Sequence, residues 1–233
     1  MTRIAILGYG MGNLRSVEKA LEHVGAEPDI TSDHERVRRA DGVILPGVGA
    51  FPKAMESVRE LGLDELLRER VEAGVPALGL CLGMQLLFES TTELGGADGI
   101  GLLEGRVERL EAAKVPQIGW NEVRWRRESA LTEGLPQPCA FYHANSFAPR
   151  PARDHDVLGT ADYEGEFVSV VERPPLYGLQ SHPEKSGPDG LRLLKNFVRL
   201  ARAAGPCPPR SDGSARAAGP CPPRSDGSAQ AAA

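Results

Sequence analysis

The chain has 233 residues, 41% hydrophobic and 25% charged, with a net charge of -5. That balance suits a globular protein of one large domain or two small ones and excludes the basic surface that tracks nucleic-acid phosphates. No apolar run reaches the roughly 18 residues of a membrane span, and no charged leader precedes an apolar stretch at the N-terminus. Cys81 and Cys139, the cysteines outside the repetitive C-terminal segment, form neither a disulfide framework nor a zinc spacing. A reducing cytoplasm is the expected location.

The first half alternates. "RIAILG" (3–8) predicts a buried strand, and "NLRSVEKALEHVG" (13–25) a helix with Leu14, Val17, Leu21 and Val24 on one face and Gly25 as its stop. The basic "RVRR" (36–39) lies beside Asp33, Glu35 and Asp41 and reads as a solvated helix face. "DGVILPG" (41–47) is a second strand, and 55–74 a helix broken at Gly62. "VPALGL" (75–80) is a third strand, and "LGMQLLFES" (82–90) a further helix. Strands alternating with helices predict a parallel sheet covered on both faces.

The second half changes to short strand-like runs: "GRVERL", "NEVRW", "CAFYHANSF", "FVSVVE" and "LYGLQ". The helix "GLRLLKNFVRLARAA" (190–204) follows. No linker separates the halves, so the expectation is a single α/β domain over 1–203, its mixed, mostly parallel sheet flanked by helices. From 201 a fourteen-residue segment, "ARAAGPCPPRSDGS", occurs twice in tandem. Rich in Pro, Gly and Ser and poor in large apolar side chains, residues 204–233 are expected to form a disordered tail.

Three stretches carry chemistry. Gly79-Leu80-Cys81-Leu82-Gly83 is the thiol counterpart of the G-x-S-x-G nucleophile elbow, a strand, a sharp turn and a helix. A cysteine there gains exposure and a helix N-terminus that favours the thiolate, with the Leu82 N–H open to an oxyanion. The stretch alone leaves a buried structural cysteine equally open. A nucleophile needs a base. His23, His34 and His155 read as surface residues and His143 as a possible base. His182 is the best placed, at a strand end in "LQSHPEKS", with Glu184 two residues on to orient it. In "LPGVGAF" (45–51), glycines after a buried strand let backbone N–H groups approach a ligand. The early "GYGMGN" departs from the G-x-G-x-x-G dinucleotide spacing and reads as a tight turn or a partner contact.

Together, "PGVGAF", "CLGMQLLFES", "VPQIGWN", "HPEKS" and the N-terminal "GYGMGNLRSV" resemble the class I (triad) glutamine amidotransferases. Within them the wording is most similar to the glutaminase subunits of imidazole glycerol phosphate synthase, over residues 1 to about 200. The resemblance implies a flavodoxin-like α/β fold and hydrolysis of glutamine to glutamate and ammonia, with no cofactor or metal. It implies Cys81 as the nucleophile that forms a thioester, His182 as acid and base, and Glu184 as the residue orienting His182. Gly47, Val48 and Gly49 with Leu82 would form the oxyanion hole. Gln85 would bind the amino-acid end of glutamine, Glu93 its ammonium, and Asn145 and Ser146 would line the same pocket. Asn13, Trp120, Asn121, Tyr142 and Lys185 would face a (β/α)8-barrel cyclase, which takes up the ammonia to make imidazole glycerol phosphate and an aminoimidazole carboxamide ribotide. The partners implied are that cyclase, in a heterodimer, and glutamine, with neither nucleic acid nor membrane.

The chain departs from the family in two places. A strand that commonly reads Tyr-Phe-Val-His-Ser-Tyr is here Tyr142-His143-Ala144-Asn145-Ser146-Phe147, which alters part of the glutamine pocket. Ser181 stands where an aromatic residue is common. A catalytically silent binding subunit is the competing reading, and the altered strand is the feature in its favour.

Overall fold

The central strands of the first half carry apolar runs because both of their faces are covered. In β1 (Thr2–Leu7), Ile4 and Ile6 point to one side and Ala5 and Leu7 to the other, and all four are buried. The same division runs through β3 (Gly42–Leu45) and β4 (Ala77–Leu80). On one side, α1 (Leu14–His23) and α6 (Gly187–Ala204) supply Val17, Leu21, Leu193 and Phe197. On the other, α3 (Phe51–Glu60), α4 (Leu63–Glu72) and α5 (Leu82–Leu86) supply Met55, Val58, Leu66 and Met84. Gly62, at φ 61°, breaks α3 from α4 where the sequence predicts it, although α3 begins at Phe51 rather than at 55.

The computed structural model describes residues 1–205. The first four residues of the duplicated segment form the last turn of α6; the rest of the expected tail lies outside the described residues. The remaining strands are β2 (Ala26–Thr31), β5 (Phe88–Thr91), β6 (Ala97–Asp98), β7 (Leu103–Arg109), β8 (Gln117–Trp125), β9 (Cys139–Asn145), β10 (Phe147–Pro151), β11 (Val157–Asp162), β12 (Glu166–Arg173) and β13 (Leu176–Leu179). Nine of the strands form one sheet in the order β2-β1-β3-β4-β13-β12-β11-β8-β9. The first five of these are mutually parallel and the last four continue antiparallel. The short helix α2 (His34–Arg38) carries the basic run, where Arg36 and Arg38 pair with Asp29, Glu35 and Glu69 on the surface.

A second sheet, β10-β7-β5-β6, was not foreseen from the sequence. The reading of 82–90 as one helix is corrected: α5 ends at Leu86, and 88–91 is a strand. The carbonyls of Leu86, Leu87 and Phe88 accept from the N–H groups of Ile100, Leu102, Leu103 and Gly101 at 2.8–3.0 Å. A distant segment thus takes the acceptors that another helical turn would have used. Strand β2 escaped notice because it is an edge strand carrying Pro28, which edges tolerate.

The parallel part of the sheet fixes where ligands bind: at the carboxyl ends of the strands. The ends of β1, β3, β4 and β13 lie side by side and lead into Tyr9, Pro46–Gly49, Cys81 and Gln180–Glu184. Close packing holds this edge together. A Cβ on Gly83 would fall 1.8 Å from the Leu45 carbonyl oxygen, and one on Gly79 would fall 2.7 Å from the backbone of Met84. Gly83→Ala is therefore expected to cost more than about 3 kcal/mol or to prevent folding. Gly165→Ala, where a Cβ meets nothing within 4 Å, should stay within about 0.5 kcal/mol of the parent. Urea unfolding of the two variants checks this; equal stabilities would refute the steric account.

Candidate active site

Cys81 stands between β4 and α5 with φ 52° and ψ -113°, a positive φ rare for any residue but glycine. Such a conformation costs of order 1–3 kcal/mol and persists only where the surroundings enforce it. Here the Cys81 N–H donates to Leu179 O at 2.7 Å, and its carbonyl accepts from Met84 and Gln85 at 3.1 and 3.3 Å. The flanking glycines have no positive φ of their own. They let α5 press against β3 and β4, and the strain falls on Cys81 itself.

His182 follows β13 on the neighbouring strand. Its Nδ1 lies 2.9 Å from Glu184 Oε1, both side chains nearly out of solvent. Burial alone would lower the imidazole pKa, but hydrogen bonds with Cys81 and Glu184 and the charges of both outweigh it. The pKa is raised from 6.5 to about 9. Pro183 and the 3-10 turn at 183–185 carry Glu184 back under the ring. The Ser186 hydroxyl donates to His182 O at 2.7 Å, and the His182 N–H donates to Tyr142 O at 2.8 Å. The loop is thereby stitched to β9.

His143, the other possible base, does not reach the cleft. It is buried in the core with Nδ1 donating to Phe141 O at 3.1 Å, so that Nε2 accepts from the Ser169 hydroxyl at 2.8 Å. Burial, aided by the nearby His182, holds its pKa down at about 4, while the bond to Phe141 O opposes. His23 and His155 are exposed, and His34 bonds Leu61 O.

A cleft of about 350 Å³ opens beside Cys81, lined among others by Val48, Gly49, Leu82, Gln85, Glu93, Asn145, Ser146 and His182. Gly47 lies just beneath: a Cβ there would come within 2.8 Å of Gly83 N and 2.9 Å of Leu82 Cβ. The close approach sets the 46–49 turn against the first residue of α5, whose Leu82 N–H has no acceptor within the helix. Gln85 Nε2 donates to Phe147 O at 3.0 Å and to Gln180 Oε1 at 2.9 Å. Both of its protons are spent, so what Gln85 has left for a ligand is an acceptor. Glu93 receives the Phe51 N–H at 3.0 Å at the start of α3. Asn145 Nδ2 donates to Phe147 O, and its buried Oδ1 has no protein partner.

The five expected partner-facing residues are placed unevenly. Trp120, 60% exposed, meets Tyr142 edge to face at 6.4 Å, and Lys185 Nζ lies 5.7 Å from the Tyr142 ring centre. Asn121 spends its amide within the chain, on Asp162 O at 2.6 Å. Asn13 is exposed at the start of α1, outside the cleft lining.

Two residues of this site were missed. Tyr9, in the glycine-rich turn after β1, is buried and donates to Pro46 O at 2.6 Å; burial and the nearby Cys81 push its phenol pKa up. Gln180 sits directly beside Cys81. For Tyr9 the strand-end position was the available signal; nothing local marked Gln180.

Residues 5–201 match the glutamine amidotransferase class-I family. The chain is 50% identical over 202 residues to the imidazole glycerol phosphate synthase subunit HisH of Bacillus cereus (strain G9842), covering 86% of this chain and 96% of that one. It is 48% identical over 206 residues to the protein of the same name from Moorella thermoacetica, covering 88% and 98%. Among solved structures, one titled as a glutamine amidotransferase superposes with a TM-score of 0.69 at 23% identity, over 85% of this chain and 98% of that one. The match over nearly the whole described chain, together with the identity to these relatives, shows that the protein belongs to the class I glutamine amidotransferase family.

Proposed function

We infer that the chain hydrolyses glutamine as the glutaminase subunit of an imidazole glycerol phosphate synthase, with Cys81 as nucleophile and His182 and Glu184 completing a triad. It is a glutamine amidotransferase of histidine biosynthesis, as its relatives at about 50% identity support. The observation that carries the residue roles is the convergence of a strained cysteine and a carboxylate-bound histidine on one cleft.

The chemistry follows from that arrangement. The Cys81 thiolate attacks the side-chain carboxamide carbon of glutamine, and the negative charge passes to the carbonyl oxygen. The Leu82 N–H and the backbone of Gly47–Gly49 stand where that oxyanion forms. His182, as imidazolium, gives its proton to the departing nitrogen, and ammonia leaves a thioester on Cys81. Neutral His182 then takes a proton from water, which attacks the thioester and releases glutamate. Glu184 holds the ring and stabilises its charge. Gln85 Oε1 and Glu93 offer acceptors to the substrate ammonium, and Asn145 and Ser146 complete the wall.

Free ammonia is lost to protonation near neutral pH, so a partner that consumes it must dock over the cleft. The surface supports this: Ile118 and Trp120 are exposed at 66% and 60%, and Val48 and Leu94 also stand out beside the site. The partner proposed is a (β/α)8-barrel cyclase seated on Trp120, Tyr142 and Lys185, in the cytoplasm, where Cys81 and Cys139 remain free thiols.

Glutamate release, measured with and without the cyclase and its nucleotide ligand, tests the assignment. Cys81→Ala should abolish release under both conditions and leave complex formation intact; full turnover in that variant would remove Cys81 from its role. The raised His182 pKa means that the imidazolium, and the stability tied to it, is fully present below about 6.5 and lost as pH rises through about 9. The alkaline limb of kcat/KM should therefore lie near 9. Glu184→Gln should shift that limb downward and lower kcat by about 10²-fold or more; an unmoved limb would contradict the pairing. Trp120→Ala should weaken cyclase binding at least about tenfold by calorimetry while changing stability by less than about 0.5 kcal/mol.

A further inference from the structure

We propose that Gln180 is a positioning residue for the nucleophile: its side-chain amide donates a hydrogen bond to Cys81 Sγ and fixes the direction in which the sulfur faces. The proposal rests on the reading of Cys81 as the nucleophile.

The register of the sheet puts the two residues together. Strands β4 and β13 are parallel with Leu80 opposite Leu179, so the next positions, Cys81 and Gln180, leave the sheet side by side. The Gln180 N–H is tied to Ser169 O at 2.8 Å, and the whole residue is excluded from solvent. Its amide nitrogen lies 3.7 Å from Cys81 Sγ, within hydrogen-bond reach of sulfur.

A fixed acceptor decides which end of the amide faces the sulfur. The Phe147 carbonyl can only accept, so the end of Gln85 that touches it is the NH2 group. The second proton of that group needs an acceptor, and Gln180 provides Oε1 at 2.9 Å. With its oxygen turned to Gln85, Gln180 has its NH2 toward the sulfur. A backbone carbonyl thus sets two side-chain amides in series, with no freedom for either to flip.

The consequence is chemical. An N–H donor favours sulfur in its charged form, whereas the Ala144 carbonyl, 4.0 Å away, can only accept from a thiol. Gln180 opposes that carbonyl. The titratable groups facing the sulfur are His182, from the loop after β13, and Tyr9, from the loop after β1; Glu184 acts through His182. Glu93 and Lys185 stand on the cleft wall, and His143 lies behind His182. None of these is altered by changing Gln180, so its contribution can be read separately.

The test is the pH dependence of Cys81 alkylation by iodoacetamide in the full chain, followed by mass spectrometry of the peptide containing Cys81. Gln180→Met, which removes the donor without adding a charge, should move the midpoint up by at least about one pH unit, slowing alkylation at neutral pH about tenfold. The plateau rate at high pH should remain that of the parent for Gln180→Met. A folded variant with the parental midpoint overturns the proposal. A second measurement needs no variant: the side-chain amide protons of Gln180 in the parent should shift in the NMR spectrum with the same midpoint as Cys81 alkylation. Their indifference to pH would also overturn it. Glutamate release by Cys81→Ala is scored separately, since turnover retained there refutes the nucleophile, while an unmoved midpoint refutes only the role of Gln180.

Discussion

The close approach of α5 to the carboxyl edge of the sheet organises the rest of the site. With no side chain at Gly83 and Gly79, the helix settles against Leu45 O and the end of β4. The chain can enter that helix so early only by taking the positive φ at Cys81. That turn lifts the sulfur to the edge, level with the loop after β13 that carries His182. The absence of a side chain at Gly47 then seats the 46–49 turn beside Leu82. Three close approaches thus fix Cys81, α5 and the 46–49 turn relative to one another before any side-chain hydrogen bond is counted.

Polar groups within that frame are driven in opposite directions by what they face. His182 looks onto Glu184 and Cys81 and is held charged; His143, one layer behind, looks onto the Phe167 ring at 5.7 Å and the Ser169 hydroxyl and is held neutral. Two buried imidazolium charges side by side would repel, so the neutrality of His143 helps His182 to keep its proton. Residues 142–147, expected as one strand, are the end of β9 and the start of β10 in the other sheet, and their unusual wording is intelligible on these terms. His143 behaves as an aromatic core residue with both nitrogens satisfied. Asn145 keeps a polar side chain on the cleft wall.

Much of this was legible in the sequence because it is local. The doubly covered strands announce themselves as apolar runs, the Gly62 break interrupts one helical face, and the elbow and His-Pro-Glu are contiguous strings. What could not be read depends on partners far along the chain. The end of α5 is decided by residues 100–103, and Gln180 gains its meaning from Gln85, 95 positions away. Strand β11 (Val157–Asp162), also unread, gains its identity from pairing with β8 and β12. The elbow pattern marked the sharp turn, but a local string does not show that the helix has the Leu45 carbonyl against its flank.

The exposed aromatic pair and the His182 loop meet at β9. Trp120 packs on Tyr142, and Lys185 lies over the same ring. The backbone of Tyr142 in turn receives the His182 N–H and donates its own N–H to Ser186 Oγ at 3.0 Å, while that hydroxyl donates back to His182 O. Tyr142 is thus tied to the main chain of His182 by one direct hydrogen bond and by a second link through the Ser186 hydroxyl. A partner that fixes Tyr142 also fixes the carbonyl and amide flanking His182, and so the reach of its ring toward Cys81. Glu184 and Lys185 occupy one 3-10 turn, so the surface cation and the carboxylate bound to the imidazole are adjacent on the same backbone. On the proposed roles, a partner that occupied the outer face of β9 would also bear on the backbone that holds His182.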